Sequence, residues 1–148
     1  MVPAPEGEQP VTIFESTCDA GAYNLVQAFL IHTDRDGLRP LSFAVPVVQI
    51  PDEHSRDHDQ GFPATPGAAL AITGYGTTMT LINPSVDEAT GQIATMEKWR
   101  GLGDAGASGV WDLTATGYVL RRYMIDATYN GRIDPVTVLD LPGPVAAE

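Results

Sequence analysis

The chain has a single cysteine, Cys18, among 148 residues. No disulfide can form within it, and its redox compartment cannot be read from thiol usage. Basic residues are scarce as well: 8 Lys and Arg stand against 19 Asp and Glu, for a formal net charge of −11. Nucleic acid and anionic membranes both require a basic footprint, so neither is expected as a partner. No apolar run approaches the roughly 20 residues of a transmembrane helix, and membrane insertion is not expected. A basic start followed by an apolar stretch is also missing, so no signal peptide is read. The opening MVPAPEGE reads as an initiator methionine on a mature, flexible N-terminus. There is no Gly-x-Ser-x-Gly elbow, phosphate loop or zinc-hydrolase histidine pair, which removes the common local signatures of nucleophilic, nucleotide and metal chemistry. No cofactor is implied.

What the chain does have is turn chemistry. Its 15 glycines and 12 prolines suit short strands between tight turns. One domain is expected over residues 11–141, between a flexible start at 1–10 and a fraying tail at 142–148. Strands are predicted at 11–15, 22–33 and 38–50, the last two joined by Asp34-Arg-Asp-Gly37. Pro40 and Pro46 place the 38–50 strand at an edge or a bulge. Residues 51–67 read as a long polar loop. A strand at 68–73 is expected to break at Gly74-Tyr-Gly76, and 77–82 to pair with 92–98 across the Asn83–Gly91 turn. In that turn Asp87 and Thr90 are placed to bond local backbone donors. Thr114-Ala-Thr-Gly117 joins strands at 110–113 and 118–125. Within the second, Tyr118, Leu120, Arg122 and Met124 fall on one face, and Val119, Arg121, Tyr123 and Ile125 on the other. A strand at 135–141 closes the domain. The fold class is all-β, an antiparallel β-sandwich or small open barrel of roughly eight strands.

Charge is unevenly spread. Residues 1–91 carry 12 acids and 3 bases, whereas residues 92–132 carry 4 acids and 5 bases. The neutral-to-basic stretch holds the most specific string in the chain, KWRGLGDAGASG at 98–109. Lys98, Trp99, Arg100, Asp104 and the nearby Trp111 are the candidate binding residues, since aromatic and arginine side chains dominate contact sites. The competing reading makes Trp111 core and has Arg100 bond Asp104 or Asp112, bracing a loop whose glycines need positive backbone dihedrals. On either reading Trp99 is the member expected at the surface.

Other groups carry weaker signals. His54, Asp57, His58 and Asp59 are oxygen and nitrogen donors close in sequence, yet a solvated charged loop is the better reading, and no metal is expected. Asp34-x-Asp36-Gly37 lacks the remaining ligands of a calcium loop and reads as a turn. Cys18 is flanked by Glu15 and Asp19, which would raise a thiol pKa, so a small buried residue is expected rather than a nucleophile. His32 reads as structural.

Asn83-Pro84, the Asp87-x-x-Thr-Gly91 turn, Lys98-x-Arg-Gly-x-Gly-Asp104 and Trp111-Asp112 follow one another along the chain, downstream of Cys18-x-x-Gly-Ala-Tyr-Asn24. In this order they resemble a bacterial envelope family known as domain of unknown function 1176, chiefly its C-terminal half, over residues 18–131. The resemblance implies a periplasmic or secreted β-rich protein and supplies no catalytic residues. It also implies a cysteine pair that this chain lacks: Ala105 stands where the family loop has one member, and residues 127–130 contain no cysteine. Without it the loop is expected to be held by packing alone.

The expected function is a non-enzymatic envelope or secreted binding module whose partner is a protein or cell-wall component, for example an acidic inhibitor or adaptor of a basic cell-wall enzyme. The alternatives are a hydrolase using a carboxylate pair on an envelope polymer, and a carbohydrate-binding domain with Trp99 stacked on a sugar.

Overall fold

Turn residues set the hairpins, and long-range pairing then assembles them. A computed structural model of the chain describes residues 10–50 and 70–143. The proline-rich start, the polar loop with His54, Asp57, His58 and Asp59, and the last five residues of the tail lie outside the described residues. The strands are β1 (Thr12–Ala20), β2 (Leu25–Thr33), β3 (Gly37–Pro40), β4 (Phe43–Gln49), β5 (Ala71–Thr78) and β6 (Thr80–Ile82). They continue with β7 (Ser85–Val86), β8 (Ile93–Ala94), β9 (Glu97–Lys98), β10 (Gly106–Thr114), β11 (Gly117–Asp126) and β12 (Val136–Asp140). All pairings among the described residues are antiparallel and no helix occurs there. The fold is therefore all-β and sandwich-like, and among the described residues no sheet closes into a barrel.

The described residues form three sheets. In the first, β2 lies between β1 on one side and β3 and β6 on the other. The second runs β12-β11-β10-β8-β7, with β9 also on β10, and the third is the β4–β5 ribbon. Their inner faces meet around Phe43, whose ring stands 5.8 Å from Phe29, 5.9 Å from Trp111 and 5.3 Å from Tyr118. Ile31, Leu41, Leu81, Ile93 and Leu120 complete this core. Trp111 also donates its indole N–H to the Ala44 carbonyl at 2.9 Å, fixing the ribbon to the six-stranded sheet. The Tyr118 hydroxyl bonds the Gly91 carbonyl at 2.8 Å, and burial pushes its pKa up to about 12.

Several expectations needed correction. β1 runs five residues beyond its expected end, through Cys18, as an edge strand with its second half uncovered. Cys18 is consequently exposed rather than buried, at the irregularity between Thr17 and Asp19. His32 is exposed too. The expected 38–50 strand is two: β3 stays on β2, while β4 leaves for β5. Gly74 and Gly76 do not break β5, because they pair along β4 opposite Val47 and Val45. β6 does not pair with the 92–98 segment; it joins β2, and β7 meets β8 instead. The face assignment of the 118–125 strand fails as well. Trp111 pairs with Leu120 and Val110 with Arg122, so Arg121 is an extra residue, a β-bulge. Past it the inward positions are Tyr123 and Ile125.

Candidate functional site

The glycine-rich loop is the short connection between β9 and β10, and its backbone closes on itself. Trp99 N–H bonds the Ala105 carbonyl at 3.0 Å, and Gly103 N–H bonds the Arg100 carbonyl at 3.0 Å. Gly103 takes φ +76°, the left-handed region. Gly106 and Gly109 are needed for a different reason, close approach. A Cβ on Gly106 would sit 2.0 Å from the Glu97 carbonyl oxygen, and one on Gly109 would sit 2.2 Å from the Trp111 ring. Of the glycines at 101–109 only Gly103 has the positive dihedral expected of them all.

One ion pair holds the loop. Arg100 Nε donates to Asp104 Oδ1 at 2.6 Å, and Arg100 Nη2 donates to Asp104 Oδ2. Asp104 Oδ2 also accepts the Gly131 N–H at 2.7 Å, and Arg100 Nη2 donates to the Tyr129 carbonyl at 3.1 Å. The guanidinium carbon lies 5.3 Å from the Tyr129 ring centre, and the Trp99 ring 6.3 Å from it. The loop is thus fastened to the 129–131 bend by charge-assisted bonds rather than by packing alone. Asp104 is 1% exposed. Its bonds from Arg100 outweigh desolvation and hold its pKa down at about 2. The same bond raises the Arg100 pKa.

A second fastening was missed in the sequence. Asn83 takes φ +46°, and its side-chain amide donates to the Tyr23 carbonyl (3.1 Å), the Asn24 Oδ1 (2.9 Å) and the Met96 carbonyl (2.8 Å). Its Oδ1 accepts the Leu25 N–H at 2.7 Å. Asn24 in turn bonds the Lys98 carbonyl (2.8 Å) and the Lys98 N–H (3.1 Å). Two asparagines therefore tie the turn before β2, the end of β6 and the approach to β9. The signal was the Asn-Pro at 83–84: Asn is one of the few non-glycine residues that tolerate a left-handed backbone.

Of the five candidate binding residues, Lys98, Trp99 and Arg100 are half-buried at the loop surface. Asp104 and Trp111 are buried and present nothing to a partner. Arg100 pairs with Asp104; Asp112 is taken by Arg121. The large apolar groups exposed here are other residues: Leu102 within the loop is 68% exposed, Ile133 71% and Met96 56%. Met96, Lys98, Gly103, Met124, Ile133 and Pro135 line a shallow recess of about 40 Å³. Glu97 and Asp126 line it too. Burial pushes the Glu97 pKa up, and a side-chain hydrogen bond with Trp99 opposes that rise. Among the described residues no three His, Cys, Asp or Glu side chains gather to hold a metal ion.

No curated protein and no solved structure gives a significant match to this chain. A family match is found over residues 10–132. It includes Asn24, Asn83, the glycine-rich loop and the 129–131 bend to which that loop is fastened. The chain belongs to the family described as protein of unknown function DUF1176.

Proposed function

We propose that the protein is a non-enzymatic binding module of the envelope or the secreted fraction, and that the glycine-rich loop face contacts a basic protein partner. The observation that carries this is the position of Ile133 and Leu102. They are the two most exposed large apolar side chains among the described residues. Ile133 and the 56% exposed Met96 line the recess beside Gly103, and Leu102 immediately precedes Gly103 in the loop. Apolar groups grouped on one rigid face are what a contact surface requires. The Arg100–Asp104 pair and the two asparagines supply that rigidity. A net charge of −11, with Glu97 and Asp126 on the recess wall, favours a partner of opposite sign.

A second reading, a hydrolase of an envelope polymer, draws on Glu97 and Asp126 as a carboxylate pair with one member's pKa raised. The shallowness of the recess speaks against it. Sugar stacking by Trp99 is disfavoured by Tyr129, whose ring lies against it.

The test is retention of envelope proteins on the immobilised chain, compared with Leu102→Asp and Ile133→Asp. A basic partner held by the wild type and released by both variants supports the proposal. Retention indifferent to both substitutions removes the loop face as the contact. Release of soluble fragments from cell-wall polymer, abolished by Glu97→Gln, establishes the hydrolase in its place.

A further inference from the structure

On the outer face of the six-stranded sheet, away from the glycine-rich loop, lies a cavity of about 270 Å³. Its polar lining is Gln92, Asp112, Arg121, Arg122 and Asp140, with Val110 and Leu141 as apolar walls. The bulge in β11 makes this site. With Leu120 in the core on one side of it and Tyr123 packed against the core on the other, both Arg121 and Arg122 are left to line the outer cavity. A regular strand would have sent one of them inward. In a chain with only 8 basic residues, two guanidinium groups are brought to one small cavity.

The two arginines are held differently. Arg121 Nε bonds Asp112 at 2.6 Å, its Nη1 bonds the Pro142 carbonyl at 2.9 Å, and Gln92 donates to the other Asp112 oxygen at 2.8 Å. That row is a fixed floor. Arg122 meets Asp140 through two long 3.3 Å bonds, and both side chains are more than half exposed. Such a pair is weak, and an incoming carboxylate can replace Asp140 on the guanidinium fork. The displaced Asp140, with Asp112 and the Gln92 amide, offers acceptors and a carbonyl to hydroxyl groups, while Val110 and Leu141 can cover a carbon ring face. The volume lies at the small end of ligand sites, below the usual 300–1,000 Å³ or so, and limits the occupant to a single ring.

We infer that this cavity binds a sugar acid, a single pyranose bearing a carboxylate, with Arg122 as the carboxylate anchor. The site is separate from the loop face proposed above, and neither depends on the other.

The experiment is an amide NMR titration of the full chain with D-glucuronate, with D-glucose and acetate run in parallel. Shifts confined to the neighbourhood of Gln92, Asp112 and Arg122, saturating in the millimolar range and absent with the two controls, are expected. Arg122→Ala is expected to weaken binding about tenfold or more, and Arg122→Lys, which keeps charge but not the fork, by less. An unchanged melting temperature in both variants separates lost binding from lost fold. Equal shifts with acetate, shifts indifferent to Arg122→Ala, or no shifts up to about 50 mM glucuronate would each overturn the inference.

Discussion

The side-chain amide of Asn83 donates to the side-chain oxygen of Asn24 at 2.9 Å, and these two residues hold three separate chain segments together. Each also bonds backbone, Asn83 at Tyr23, Leu25 and Met96 and Asn24 at Lys98. Asn83→Ala removes four side-chain bonds and leaves a Cβ-bearing residue without a local bond at φ +46°. A loss of about 2–4 kcal/mol is expected in urea denaturation. Asn83→Gly keeps the backbone conformation and should recover about 1 kcal/mol of it. Equal damage from both would mean that the side-chain bonds alone matter.

Asp104 gives the protein an acid-side dependence. Its folded pKa, about 2, lies below an unfolded value of about 3.9. A depressed carboxylate contributes stability that is fully present above about pH 4 and is lost as pH falls toward 2. Urea midpoints measured at pH 5, 4, 3 and 2 should fall over this window. Asp104→Asn should lower the midpoint at pH 5 and flatten that fall, so that the two curves converge in acid.

Glu97 has the opposite sign. Burial raises its folded pKa, so its contribution is favourable below its unfolded pKa and is lost as pH rises through the folded one. Glu97→Gln should therefore leave stability at pH 4 nearly unchanged and raise the urea midpoint at pH 7. A variant less stable than wild type at pH 7 would show that the Glu97 charge is stabilising where it sits.

Much of this architecture was legible locally, and the failures share a cause. Asp34-Arg-Asp-Gly37 and Thr114-Ala-Thr-Gly117 announced their hairpins, because turn residues act within four positions. Asp87 and Thr90 bond the backbone N–H of Ala89 and Gln92 as expected, for the same reason. Partner choice is not local. Sequence proximity favours pairing β6 with its nearest downstream neighbour, whereas β6 lies along β2 and Asn83 N–H continues that pairing to the Leu25 carbonyl. The Arg121 bulge carries no glycine or proline to mark it. It shows only in what faces the core on each side, which requires knowing the core. At the loop, the spacing of Arg100 and Asp104 suggested a brace, and the brace exists. Its other end at Gly131 is 27 residues away, beyond any local pattern.

Gly106 and Gly109 offer the sharpest check on how tightly that loop is built. They lie three residues apart on β10, and each admits a neighbour where a side chain would stand: a backbone carbonyl at Gly106 and an indole ring at Gly109. A ring can shift, whereas a strand-paired carbonyl moves only if β9 separates from β10. Gly109→Ala should therefore cost about 1–3 kcal/mol, the usual range for overpacking, and Gly106→Ala about 3 kcal/mol or more. The chain's two tryptophans report the two events separately through their indole N–H resonances. Gly109→Ala should move the Trp111 signal, because its ring is the obstruction, and leave that of Trp99 in place. Gly106→Ala should do the reverse, since opening β9 frees the Trp99 backbone from Ala105. If both substitutions are silent, the loop is looser than these contacts require, and the preorganised face that the proposed partner contact needs does not exist.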